Sequence, residues 1–250
     1  MAEWAKGIKS LVGFLTIIPV KLDETSLKDA ARFMFLFPLI GAFLGALVGA
    51  FSQVVFGIFS GLIAGLLVVV LLSLLTGLHH MDGLLDFGDG LMVRGSKERK
   101  IQAMKDPGTG VGGWTLGTFT VLGMIFAVSE ITKTSIFQSL VVAESSAKFA
   151  MVTLAFSGRL AYRGSATAFV ETMHSRRGIF TLLASLLISA AIVFMFQNIV
   201  GLVILIAAVG VAIILRFISH YAIGGINGDV FGATNELTRL VALVLLAVFI

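Results

Sequence analysis

The chain has 250 residues, 58% of them apolar and only 13% charged, against about 25% charged in an ordinary soluble domain. The apolar residues form long unbroken blocks that so little polar surface could not cover, which excludes a soluble cytosolic enzyme and indicates a polytopic membrane protein. Cysteine is absent, so disulfides, zinc–thiolate centres and thiol nucleophiles are excluded together, and any metal must be held by oxygen or imidazole.

In chain order, Met1 to Val20 carries Lys6 and Lys9 ahead of a short apolar run that Pro19 ends. The charged stretch Lys21 to Arg32 follows, and no small-residue cleavage site is visible. This segment reads as an interfacial amphipathic helix, with a retained signal-like anchor as the lesser reading. A membrane-spanning helix needs about 20 mostly apolar residues. The candidates are Phe33 to Phe56, Gly61 to Leu78, Gly112 to Val128, Ile136 to Phe156, Ile179 to Phe196, Ile199 to Arg216, and Leu237 to Ile250. The last is the shortest, rising about 21 Å as a helix.

Arg and Lys gather in Met1 to Arg32, His79 to Val111, Ser157 to Gly178 and around Arg216 to Arg239, while the turns near Gly57 to Ser60 and Gln197 to Asn198 carry no charge. Seven crossings place all four basic segments on one face, which the positive-inside rule makes cytoplasmic. The expected architecture is therefore all-α: a polytopic membrane bundle of about seven transmembrane helices plus an N-terminal interfacial helix. It forms a single domain over 1–250, multi-pass in the cell (plasma or inner) membrane, with its site facing the cytoplasm. Within it, 1–32 is the interfacial segment, 79–111 a metal and phosphate loop, and 217–236 a second substrate loop.

The densest chemistry runs from His79 to Gly90. If this segment continues as a helix, Asp82, Asp86 and Asp89, at i, i+4 and i+7, share one face. Three such carboxylates repel each other unless a cation lies between them, and hard oxygen ligands suit Mg²⁺ or Mn²⁺, with substrate phosphates completing the shell. The bland alternative is a solvated loop whose acids balance Arg94, Lys97, Arg99 and Lys100. Gly83, Gly88 and Gly90 leave room for a phosphate-bearing ligand to approach the backbone. The period places His79 on the aspartate face and His80 elsewhere, and does not decide between them.

Ser96 caps a short helix running to Lys105. Asp106 and the glycine-rich run Gly108, Gly110, Gly112 and Gly113 then open the third span, where unpaired amides and the helix dipole suit an anion. It is not a Walker A loop. The late stretch Gly224 to Glu236 brings together Asn227, Asp229 and Glu236, either to hold ribose hydroxyls, a base edge or a second cation, or to cap helices around a tight turn. Inside the fourth span, Glu144 and Lys148 are four residues apart and read as a self-neutralising pair.

These motifs resemble the cobalamin synthase family, the adenosylcobinamide-GDP ribazoletransferases. The resemblance rests on His80-Met81-Asp82-Gly83-Leu84-Leu85-Asp86-Phe87-Gly88-Asp89-Gly90, on Met104-Lys105-Asp106 with its glycine loop, on Gly224-Gly225 to Glu236, and on Phe37-Pro38-Leu39-Ile40-Gly41. It covers almost the whole chain. It implies an Mg²⁺-dependent membrane enzyme of late vitamin B12 assembly, joining GDP-activated adenosylcobinamide to α-ribazole or its 5′-phosphate with release of GMP. The partners implied are those small molecules and membrane lipid, not nucleic acid, with oligomerisation left open. The resemblance also favours His80 over His79. Two positions depart from the family pattern. Arg239 stands where a second Glu is expected, and Lys148 where an Arg is, so neither inherits a role.

On this reading Asp82, Asp86 and Asp89 bind the metal, while Lys105 and the amides of Gly108, Gly110 and Gly113 meet phosphate oxygens. Asn227, Asp229 and Glu236 contact substrate. His80 is the first choice of base for the ribazole 3′-hydroxyl, with Asp106 or an aspartate of the cluster such as Asp82 the second. One rival is a membrane phosphotransferase using a CDP-linked donor, but Asp86-Phe87 stand where its Asp-Gly-x-x-Ala-Arg pattern has Ala-Arg. The other is a cation transporter, whose site would lie near the bilayer midplane, whereas these motifs cluster at span ends.

Overall fold

The structure, a computed structural model, describes residues 2–20 and 25–250; Met1 and 21–24, part of the charged stretch after Pro19, lie outside them. Among the described residues eleven α-helices follow one another: α1 (Ala2–Leu15), α2 (Ser26–Arg32), α3 (Phe37–Ile58), α4 (Gly61–Leu75), α5 (His79–Met92), α6 (Lys97–Met104), α7 (Val111–Glu130), α8 (Ile136–Ser157), α9 (Thr167–Met173), α10 (Gly178–Ile223) and α11 (Gly228–Phe249). The fold is an all-α helix bundle. Five of these helices are long and apolar enough to cross a membrane, and a sixth if α4 and α5 count as one span. That pair is bent by 94°. Gly77 and Leu78 make the bend, both in the left-handed region with φ of 65° and 60°. Because α5 turns across the end of α4, we place α5 outside the spanning segments.

Each of the seven apolar stretches read from the sequence falls mainly on helix. The 46-residue α10 counts once among the five, yet it is broken at Gln197 and Asn198. A Cβ on Gly201 would run into the Val193 carbonyl, eight residues back, so the chain reverses there. Asn198, at φ 49°, makes the reversal, as Asn tolerates better than most residues.

The last helix corrects the sequence reading. α11 has 22 residues and begins at Gly228, so most of the expected second substrate loop is helical. Asn227 caps it, its Oδ1 accepting from Val230 N at 3.0 Å. Gly232, which reads locally as a breaker, is a packing position: a Cβ there would lie 2.6 Å from the His80 carbonyl oxygen.

The bundle is built around α8, whose residues from Ser139 to Ala155 are all buried. Helix α3 packs on it through Gly41, Gly45 and Gly49, one glycine per turn. Side chains at the first two would strike the Glu144 and Leu140 carbonyls, so the stripe allows close backbone approach. The connections carrying the chemistry meet at one end of the bundle. Ile226 exchanges backbone hydrogen bonds with Arg159 and Ala161, and the Lys97 side chain lies against Gly224. At the opposite end, Gln53 donates to the Lys133 carbonyl.

Candidate active site

Helix α5 is the spine of the site. It lies across the N-terminal ends of α11 and α7 through two glycines: a Cβ on Gly83 would fall 2.9 Å from Asp229 Cα, and one on Gly88 would fall 3.0 Å from Gly113 Cα. Gly83 and Gly88 thus admit neighbouring helix backbones, and Gly90 the Met104 side chain, rather than the ligand expected from the sequence. This contact brings Asp229 to the α5 aspartates. Asp82 is exposed, Asp86 half-buried and Asp89 buried. Burial, followed by the neighbouring carboxylates of Asp229, Asp82 and Asp89, pushes the Asp86 carboxyl up to about 7.

Asp89 has a different task. Its carboxylate accepts from Gly110 N at 2.7 Å and Gly113 N at 2.8 Å, closing the first turn of α7. The anion at this helix N-terminus is the protein's own Asp89, so these two amides are not free for a substrate phosphate. Asp106 is turned on its own loop, accepting from Gly108 N at 2.9 Å.

A cavity of about 330 Å³ opens beside α5. His79, His80 and Asp82 line it, with Asp229 from α11 and with Ser10 and Phe14 from α1 opposite. His80 is buried, and its Nδ1 has no hydrogen-bond partner. Burial, then the nearby charges of Lys148 and Arg239, hold its imidazole well below the ordinary value, so it is neutral at neutral pH. Lys105 lies 4.5 Å over the Tyr162 ring. The Tyr162 hydroxyl accepts from Asn227 Nδ2 at 2.7 Å, and the same amide donates to Asp229 at 2.8 Å. Burial raises the Tyr162 phenol above its usual range.

Beneath His80 lies a second charged group, fully buried between α8 and α11. Arg239 pairs with Glu144 and with Glu236, and Lys148 donates to Glu144 at 3.2 Å and to Asn235 at 2.7 Å. Glu144 and Lys148 have 0% and Arg239 1% of their surface exposed. Glu236, expected at the substrate, is held here instead and does not line the cavity. The Glu144–Lys148 pair is present as expected.

A family model for cobalamin-5-phosphate synthase matches residues 7–247. The chain belongs to the cobalamin-5-phosphate synthase family. Its relatives include the adenosylcobinamide-GDP ribazoletransferases of Methanocella arvoryzae (32% identical, covering 95% of this chain and 93% of the relative), Methanosarcina barkeri (32%, 100% and 94%) and Thermococcus kodakarensis (33%, 96% and 97%). No solved structure matches it.

In this cobalamin-5-phosphate synthase family chain, the structure brings together Asp82, Asp86, Asp229, His80 and, through Tyr162, Asn227 and Lys105. Among the described residues no three His, Asp or Glu side chains stand ready to hold one metal ion. The donors nevertheless fit a hard divalent cation. All are carboxylate oxygens, burial and then their mutual repulsion raise Asp86, and Mg²⁺ is commonly held by one or two carboxylates with substrate phosphates and water. Sequence reasoning missed Tyr162 and the α1 wall. Tyr162 sits in an Arg-rich connection with no motif around it, and α1 gave only an amphipathic pattern.

Proposed function

We propose that this protein transfers the adenosylcobinamide phosphate group from adenosylcobinamide-GDP to α-ribazole or its 5′-phosphate, forming adenosylcobalamin or its 5′-phosphate and GMP as a late step of cobalamin biosynthesis. The observation that carries this reading is the family match over nearly the whole chain, together with the relatives' shared name. The site supports it chemically. Asp82, Asp229 and the His79 and His80 imidazoles converge on one cavity, and 330 Å³ is at the low end for ligand pockets, suiting a nucleoside rather than a corrin ring.

The reaction forms a bond from a ribazole hydroxyl oxygen to the corrinoid-side phosphorus. The anhydride P–O bond breaks, its electron pair leaves with GMP, and the hydroxyl proton passes to a base. His80, neutral and facing the cavity, accepts that proton in our reading, and Asp82 is the second candidate. Asp82, Asp86 and Asp229 would hold Mg²⁺, and Asp89 keeps α5 and α7 in register. When bound, Mg²⁺ supplies Lewis-acid charge to the diphosphate. Lys105, steadied on Tyr162, adds positive charge near Asp229. We place the site on the cytoplasmic face of the cell membrane, from the positive-inside distribution.

The test is GMP release by the purified protein given adenosylcobinamide-GDP and α-ribazole 5′-phosphate, with Mg²⁺ or with EDTA. The expected result is metal-dependent GMP formation matched by a cobalamin product. Folded protein that instead turns over CDP-linked donors would contradict it.

A further inference from the structure

A second cavity, about 960 Å³, lies on the other side of α1 and α2 from the active-site cavity. Its floor is aromatic. Trp4 meets Phe33 edge-on at 4.9 Å and Phe35 at 6.2 Å, and Phe35 meets Phe180 at 6.4 Å, so one ladder of rings runs from α1 to the start of α10. Its rim is basic. Among the described residues Lys6, Lys28, Arg32, Arg176 and Arg177 line it, against Glu3 and Asp29. Asp29 is already engaged, by Lys6 at 3.1 Å and Thr25 at 3.1 Å. Lys28, Arg32, Arg176 and Arg177 are all exposed, and none forms an ion pair among the described residues.

Position selects the ligand. Arg176 and Arg177 immediately precede Gly178, where α10 begins its apolar course, and Ile179, Phe180 and Leu183 of that first turn and the next are exposed. Phe180, at 67% exposure, therefore belongs both to the groove floor and to the outer apolar face. Cations above an aromatic floor at the end of a spanning helix match the level of lipid headgroups in a bilayer, where basic pockets bind anionic lipids and aromatic rings anchor. A water-soluble phosphate would use the cations but leave the aromatic floor unexplained.

We propose that this groove binds the phosphate headgroup of an anionic phospholipid, its glycerol and upper acyl carbons lying along Trp4, Phe35 and Phe180. The site is separate from the catalytic carboxylates and rests on the membrane reading of α10, not on the reaction. It has a structural consequence. Helices α1 and α2 are the partition between the two cavities, with Ser10, Phe14 and Leu27 facing the active site and Trp4, Lys28 and Arg32 facing the groove. A lipid seated here holds one wall of the active site in place.

The test is native mass spectrometry of the full-length protein in detergent, offered equal phosphatidylglycerol and phosphatidylcholine. Wild type should retain phosphatidylglycerol preferentially. Each basic residue beside an anionic headgroup strengthens binding about fivefold, so Arg176→Gln alone should cut the preference about fivefold. The triple variant Arg32→Gln/Arg176→Gln/Arg177→Gln should bring it near parity. Arg163→Gln removes an exposed arginine outside the groove and should leave the preference intact. Equal retention of the two lipids by wild type, or an unchanged preference in the triple variant, would overturn the proposal. So would displacement of the bound lipid by inorganic phosphate at equal concentration, which would assign the groove to a free anion.

Discussion

Two acidic clusters lie near His80, and they differ in what neutralises them. Between α8 and α11, Glu144 and Glu236 are matched by Lys148 and Arg239, all four buried. On α5, Asp82 and Asp86 lie near Asp229 with no cation in hydrogen-bond contact among the described residues, and burial with the neighbouring carboxylates pushes Asp86 up to about 7. A carboxylate that carries its own cation is part of the scaffold. One gathered with like charges at the edge of a cavity is poised for a cation or a charged substrate. Asp89 falls on the scaffold side, although it belongs to the motif, because two backbone amides satisfy it.

Breaking the balanced cluster should have the largest effect. Glu144→Ala leaves Arg239 and Lys148 short of a buried partner, at a cost on the order of 3–5 kcal/mol. A large fall in melting temperature, with any loss of activity following the loss of folded protein, is the expected outcome. Glu144→Ala/Lys148→Ala should lose less than the sum of the two single variants, because the second change removes an orphaned charge. Thermal melts of the three variants read this directly.

The unbalanced cluster should respond the other way. Asp86→Asn removes a repelled charge, so the melting temperature should hold or rise, while GMP release falls about 10²-fold or more. Asp89→Ala sharpens the line between the two classes. It deprives two amides of a charged acceptor, costing on the order of 2–3 kcal/mol, and should register first as lost stability. Tyr162→Phe removes one acceptor from Asn227, which keeps its bond to Asp229, so about 1 kcal/mol is expected in a denaturation series.

The smallest effect is one of pH. The Asp86 carboxyl is raised above its ordinary value when folded. The folded chain therefore keeps a proton that the unfolded chain releases, in the window between the ordinary carboxylate range and about 7. Stability should fall as pH rises through that window in metal-free protein. Asp86→Asn should flatten this slope, measured by melting temperature against pH in EDTA.

The parts of this picture legible in the sequence are those written in local pattern. The i, i+4, i+7 spacing placed Asp82, Asp86 and Asp89 on one stretch of helix, and the apolar blocks gave the helices of the bundle. The start of α11 was hidden because Gly232 and Asn227 have two meanings. Glycine breaks a helix in water but packs one helix backbone onto another in a bundle, and only the α5 backbone beside Gly232 decides between them. The partner of Asp89 was also hidden, because the amides that hold it lie 21 and 24 residues further along the chain. Arg239 and Glu144 are 95 residues apart, and no periodicity reports such a pairing. The departure from the family pattern at Arg239 was visible, but its partner was not.

The most direct test of the division between the two clusters is a paired measurement on purified Asp86→Asn protein: its melting temperature, and its rate of GMP release from adenosylcobinamide-GDP with α-ribazole 5′-phosphate at saturating Mg²⁺. The account predicts a melting temperature at or above that of wild type, with the rate down about 10²-fold or more. A near-normal rate from the folded variant would contradict it, and would move the α5 carboxylates from chemistry to scaffold.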